Sequence, residues 1–137
     1  LGHLERRFTL PITSALTTDV LTVPPDATTS EFVYLHVLGR RQRSVPVVDK
    51  DNYLGMISLS DLSEVERSSW DETPVSELLR NDLPVARPSW SLRDTVAAME
   101  DYEIDVLAVT DESNAFIGVV YEEDILKLDE ILEETGG

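Results

Sequence analysis

Apolar and polar positions alternate along the chain in two similar series. Residues 20–23 form a short extended run ended by Pro24 and Pro25. Thr28-Thr-Ser-Glu31 has capping-box spacing, and Phe32, Leu35, His36 and Leu38 fall on one face of the helix it opens. Gly39 weakens that helix near its end. Residues 45–48 are a continuous β-branched run around one proline, which predicts a short buried strand. Asp49-Lys-Asp-Asn52 is turn chemistry, residues 53–58 predict the second strand of a hairpin, and a helix follows from about residue 60 to 66. The second series opens a helix at Ser91-Leu-Arg-Asp94, with Val96 and Met99 inward. It continues with strands at 106–109 and 116–120 around a turn at 111–115. A last helix, about 122–134, places Ile125, Leu128, Ile131 and Leu132 on one side and acids elsewhere, a solvated face.

The two series are a repeat. Pro11-Ile-Thr-Ser-Ala-Leu16 recurs as Pro74-Val-Ser-Glu-Leu-Leu79, and the same spacing pairs Asp19 with Asp82, Pro25 with Pro88, Gly55 with Gly118 and Asp61 with Asp124. A slip of one residue between helix and strand aligns Val47-Val48-Asp49 with Val109-Thr110-Asp111. The expected organisation is a connector at 1–10, a first repeat at 11–66, a linker at 67–73 and a second repeat with its terminal helix at 74–134. Trp70 and Trp90 read as core or repeat-contact residues. The fold class is α/β (α+β), a pseudo-symmetric pair of short mixed sheets flanked by helices.

Val45-Pro-Val-Val-Asp49 with Leu54-Gly-Met-Ile-Ser-Leu-Ser-Asp61, and their second copies Leu107-Ala-Val-Thr-Asp111 and Ile117-Gly-Val-Val-Tyr-Glu-Glu-Asp124, resemble the CBS domain. Two copies in register resemble the tandem CBS pair, or Bateman module, over about residues 11–130. The resemblance implies two repeats packed about a pseudo-twofold axis with two clefts, a regulatory rather than catalytic role, and a homodimer. It also implies an adenine nucleotide or S-adenosylmethionine as ligand, with no required cofactor and no metal.

Composition narrows the partners. The chain has 137 residues, no cysteine and a net charge of −16. Such a charge repels nucleic acid and anionic lipid. Without thiols there is neither a disulfide framework nor a thiolate metal site, and His3 and His36 have no ligand spacing. His36 lies in an apolar helical pattern and reads as a packing residue. Against twenty-seven acids, the chain places Arg40, Arg41 and Arg43 together before the first buried strand. They are helix-end cations, contacts for a protein partner, or, for Arg43 above all, a phosphate contact.

The resemblance implies that each cleft takes residues from both repeats. Cleft one would join Thr22, Arg43, Ser44 and Val45 to Tyr121 and Asp124. Tyr121 stands there where the family has Ser or Thr. Cleft two, the second choice, would join Ser58 and Asp61 to Val85, Asp105 and Val106. Asp105 there opposes a phosphate that Arg43 would attract in cleft one. A carboxylate takes both ribose hydroxyls at once, and arginine adds bidentate bonds to phosphate. Plainer readings stay open: Ser58 with Asp61 is also a helix capping box, and Asp124 an acid favoured at a helix start.

The chain begins at Leu1 and reads as a segment of something longer. Its Leu-Glu-Arg-Arg lead, its Val37-to-Pro46 stretch and its Lys127-Leu-Asp-Glu-Ile-Leu tail resemble the cytoplasmic C-terminal CBS pair of bacterial ClC-type chloride channels and transporters. That would attach it to a membrane transport domain, on the cytoplasmic side. A degenerate pair serving only as a dimerisation and interaction scaffold, or the regulatory module of a cytosolic enzyme, are the alternatives.

Overall fold

The computed structural model describes residues 9–134. Most of the expected connector, with His3, lies outside them. The chain forms two compact units, and they do not follow the order of the sequence. One comprises Asp19–Leu83 with Asn114–Phe116. The other comprises Pro84–Ser113 together with the described residues before Asp19 and after Phe116.

In the first unit, β2 (Ser44–Asp49) and β3 (Asn52–Ser58) form the expected antiparallel hairpin, with a bulge between Val47 and Val48. Residues 20–23 contribute less than a strand. Val23 alone bridges in parallel to Val47, its amide donating to the Pro46 carbonyl at 3.0 Å and its own carbonyl accepting from Val48 at 2.9 Å. On the other side of the hairpin, Arg80 bridges Met56. Val23, Phe32, Val45, Val47, Ile57 and Val75 are buried in one core, with Trp70 packed against it as expected.

The second unit has the same layout in fuller form. Its sheet runs β1 (Leu16–Thr17), β6 (Phe116–Tyr121), β5 (Val106–Thr110), β4 (Val85–Ala86), with β4 parallel to β5 and β1 antiparallel to β6. Trp90 packs on the core around Ile12, Leu92, Met99, Leu107 and Val109. The leading segments of the two repeats are therefore exchanged. The Leu16–Thr17 segment lies near the start of the first repeat but pairs with β6 of the second, and Arg80 lies near the start of the second but pairs with β3 of the first. This exchange explains the paired glycines. A Cβ on Gly55 would stand 2.5 Å from the Arg80 carbonyl oxygen, and one on Gly118 2.6 Å from that of Thr17.

The helices differ from their expected form in two places. In the second repeat, Ser91 and Asp94 make the reciprocal capping box and α2 (Leu92–Tyr102) is regular. In the first, Thr28 caps α1 (Thr29–Glu31), which continues as a π-helix, Phe32–Leu38. Its wider winding turns Phe32, Val33, His36 and Val37 inward and leaves Leu35 and Leu38 60% and 64% exposed, so those two are not on the buried face the α-helical spacing predicted. The helix predicted at 60–66 is a single 3-10 turn, Leu59–Leu62. The next residues, Ser63-Glu-Val-Glu-Arg-Ser-Ser69, include three serines and a β-branched valine, which weaken a helix. The matching stretch of the second repeat, Leu- and Glu-rich, runs on as α3 (Glu122–Glu134).

Candidate functional site

The first unit holds Thr22, Arg43, Ser44, Val45, Ser58 and Asp61; the second holds Val85, Asp105, Val106, Tyr121 and Asp124. In the first unit, Val45 is buried in the core and Ser44 half-buried, while Thr22 and Arg43 are exposed. Two residues outside the expected set hold this group together. The Gln42 side-chain amide accepts from the Leu21 amide at 2.9 Å and donates to the Leu21 carbonyl at 2.7 Å, and also to the Ser44 carbonyl at 3.3 Å. It acts as a one-residue strand partner, lacing the segment before Thr22 to the start of β2. His36, buried, donates from Nε2 to the Thr22 carbonyl at 3.2 Å, and its Nδ1 has no partner among the described residues. His36 is thus more than packing. Gln42 carries a faint signal in the sequence, as the only glutamine of the chain.

The three arginines separate by backbone. Arg41 adopts a left-handed conformation (φ 58°) past the helix end, and the Gln42 amide returns to the His36 carbonyl at 3.1 Å. Arg40 and Arg41 are therefore helix-end residues. Arg43 lies beyond this cap, and its carbonyl accepts from the Leu59 amide at 3.2 Å, tying it to the turn that carries Asp61. Ser58 and Asp61 form the capping box: the Ser58 amide donates to Asp61 Oδ2 at 2.7 Å and the Ser58 hydroxyl to the same oxygen at 2.9 Å. Nothing among the described residues engages the other oxygen, Oδ1.

In the second unit, the Glu122 amide donates to the Asp105 carbonyl at 2.9 Å, the counterpart of Leu59 on Arg43. Asp124 has no serine to bond. It accepts instead from the Thr17 hydroxyl at 3.3 Å, part-buried, from the exchanged segment. Burial raises the pKa of Tyr121, and the nearby charges of Asp124, Glu123 and Asp105 raise it further. Those shifts place Tyr121 in an acidic neighbourhood that holds its phenol neutral. Val85 lies half-buried on β4 and Val106 is buried on β5. Among the described residues, no group of three or more histidines and acids is arranged for a metal, and no helix is long and apolar enough to cross a membrane.

Comparison with known proteins agrees with this architecture. The chain is 29% identical over 131 residues to the CBS domain-containing protein YhcV of Bacillus subtilis, covering 92% of this chain and 89% of that one. It is 28% identical over 110 residues to protein MJ1232 of Methanocaldococcus jannaschii, covering 80% of this chain but only 36% of the relative, so the match is about a third of that protein. Among solved structures, CbpB in complex with c-di-AMP superposes with a TM-score of 0.81 at 20% identity, over 98% of this chain and 93% of that one. The CBS domain of a bacterial CNNM/CorC-family Mg2+ transporter in complex with ATP gives 0.80 at 17% identity, over 92% and 91%. Identities this low speak to the fold alone. The CBS domain family itself matches twice, at residues 12–68 and 75–130, and a chain covered this fully by two copies belongs to the CBS domain family as a tandem pair.

Proposed function

We propose that this CBS pair is a non-catalytic regulatory module that senses an adenine nucleotide, ATP, ADP or AMP, through residues of both repeats. The observation that carries the reading is the state of the two motif acids. Asp61 is fixed by two bonds to one oxygen with the other unengaged, and Asp124 is oriented by Thr17, so each carboxylate is pre-set to accept hydroxyl donors. Arg43 is exposed, makes no ion pair among the described residues, and is anchored beside the Asp61 turn. Thr22, Arg43, Ser44 and Val45 act with Tyr121 and Asp124 as the first binding group. Ser58 and Asp61 act with Val85, Asp105 and Val106 as the second. Structural neighbours solved with AMP, ATP, c-di-AMP, or 5-methylthioadenosine and S-adenosyl-L-methionine support an adenosine-based ligand.

The mechanism is a shift between arrangements of the pair: a nucleotide that binds one more tightly biases whatever is attached to the module. The host we propose is a chloride channel or transporter, on its cytoplasmic side, because the flanking segments resemble that class. No such protein is among the relatives named above, so the host rests on that resemblance alone. The chain acts as a homodimer, a reading supported by the exposed apolar residues Tyr34, Leu35 and Leu38 on the first-repeat helix.

A scaffold without ligand is the second reading. The complete Ser58–Asp61 capping box and the acids around Tyr121 favour it. Calorimetry with ATP, ADP, AMP and S-adenosylmethionine separates the two. Loss of the first group's share of the heat in Arg43→Ala and Asp124→Ala, with any remaining binding belonging to the second group, is the expected result. Heat with none of the four, from a chain that light scattering shows to be a dimer, leaves the scaffold.

A further inference from the structure

The second binding group, as read from the sequence, has a ribose acid but no cation: Asp105 stands where the first group has Arg43. The first unit contains an arginine that the sequence assigned to neither group. Arg80 arrives with the exchanged segment, and its backbone is locked against β3. Its amide donates to the Met56 carbonyl at 2.7 Å, and its carbonyl accepts from the Met56 amide at 3.0 Å. Met56 and Ser58 are alternate residues of one strand and share a face of the hairpin. The Arg80 guanidinium is held charged first by Asp82 and, to a lesser degree, by Asp61.

The other repeat shows what this position can reach. Thr17 is the counterpart of Arg80, just as Gly118 is of Gly55, and its hydroxyl donates to Asp124. A residue in this place addresses the motif acid of the repeat it packs on. Where the second unit has a short hydroxyl that contacts the acid directly, the first has a long cation.

Arg80 is at present held by Asp82, with Nε to Oδ1 at 3.3 Å and an Nη to Oδ2 at 3.2 Å. Both side chains are largely open to solvent, at 47% and 68% exposure. An exposed ion pair of this kind is weak and exchanges readily for a better anion. A phosphate offers the guanidinium the same bidentate geometry with more charge.

We infer that Arg80 is the phosphate-recognition residue of the group built on Ser58 and Asp61, that it selects nucleoside phosphates over the bare nucleoside there, and that Asp82 occupies it until such a ligand arrives. This rests on the nucleotide-sensing reading above. It replaces the expectation that Asp105 would exclude phosphate from this group.

The test is calorimetry of AMP and adenosine with the whole chain in an Asp124→Ala background, which removes the motif acid of the other group. Arg80→Ala should weaken AMP roughly tenfold or more while leaving adenosine unchanged. Arg80→Lys should keep part of the discrimination, and Asp82→Ala should tighten AMP by freeing the guanidinium. Equal losses for AMP and adenosine would show Arg80 to be a structural strut, and an unchanged AMP affinity would remove it from recognition. Failure of the unsubstituted chain to bind either compound would overturn the nucleotide reading itself, whereas binding abolished by Asp124→Ala alone would keep that reading and remove this inference.

Discussion

The helices of the two repeats start alike and end alike but are not the same length. Thr28 and Ser91 are equivalent caps, and Arg41 and Glu103 are equivalent left-handed residues beyond the far ends, with φ of 58° and 53°. Arg41 nevertheless follows its cap by one residue more than Glu103 does. The closing bonds record the excess. Ile104 returns its amide to the Met99 carbonyl, a Schellman-type step, whereas Gln42 reaches one residue further back, to His36. The first repeat has absorbed an extra residue as π-helical winding rather than as a longer loop. What this teaches is where the fold tolerates length. The helix gives way, and the strand after it keeps its register, so Arg43 and Asp105 occupy matching places with opposite charge.

The comparison breaks hardest at the glycines. Gly55 and Gly118 both face a carbonyl of an exchanged segment, so Gly55→Ala and Gly118→Ala should each cost about 1–3 kcal/mol or more in urea unfolding, because backbone has to move. Similar losses at both sites are expected if the two units are built alike. If one variant were neutral, the exchanged segment in that unit would not be held as described.

This symmetry was partly legible in the sequence. The paired glycines, the hairpins, the Ser58–Asp61 and Ser91–Asp94 capping boxes and the length of α3 follow from spacing and composition, while at Thr28–Glu31 only the Thr28 half of the box forms. The exchange of segments does not, since Leu16-Thr17 and Arg80 pair with strands distant in sequence and carry no period of their own. The one-residue slip is visible, but nothing in the apolar pattern says that residues 32–38 take it up, so α-helical spacing places Leu35 and Leu38 on the wrong face. Of the candidate residues, the acids and Arg43 announce themselves by type. Gln42, His36 and Arg80 do not, because their parts depend on which backbone folding brings beside them.

A smaller effect tests the helix directly. Removing Leu35, an exposed residue of the π segment, should let residues 29–38 wind as a regular α-helix like α2. His36 and Val37 would then follow Phe32 and Val33 at the three-residue spacing of an α-helical face. We expect a folded protein within about 1 kcal/mol of the parent, far from the usual cost of losing a residue inside a helix. Circular dichroism and urea unfolding read the outcome. An unfolded or molten product would mean that the extra residue is required rather than merely accommodated.

The least effect near neutral pH, and the sharpest contrast between units, lies with two tyrosines. Burial alone raises the pKa of Tyr53, in the first unit, well above its ordinary 10.0. Tyr121, in the second, is raised by burial and then by Asp124, Glu123 and Asp105. In both, the folded state keeps the proton that the unfolded state releases first. The stabilisation is therefore complete below about pH 10 and is lost as pH climbs through the raised values. Tyr53→Phe should flatten most of that alkaline loss and Tyr121→Phe a lesser part. Salt divides the causes, since it screens charges and leaves burial alone. Raising the ionic strength should lower the phenolate absorbance midpoint assigned to Tyr121 and leave that of Tyr53 in place. Identical salt responses would mean that the acids around Tyr121 do not act on it, and the electrostatic difference between the two units would shrink to Arg43 against Asp105.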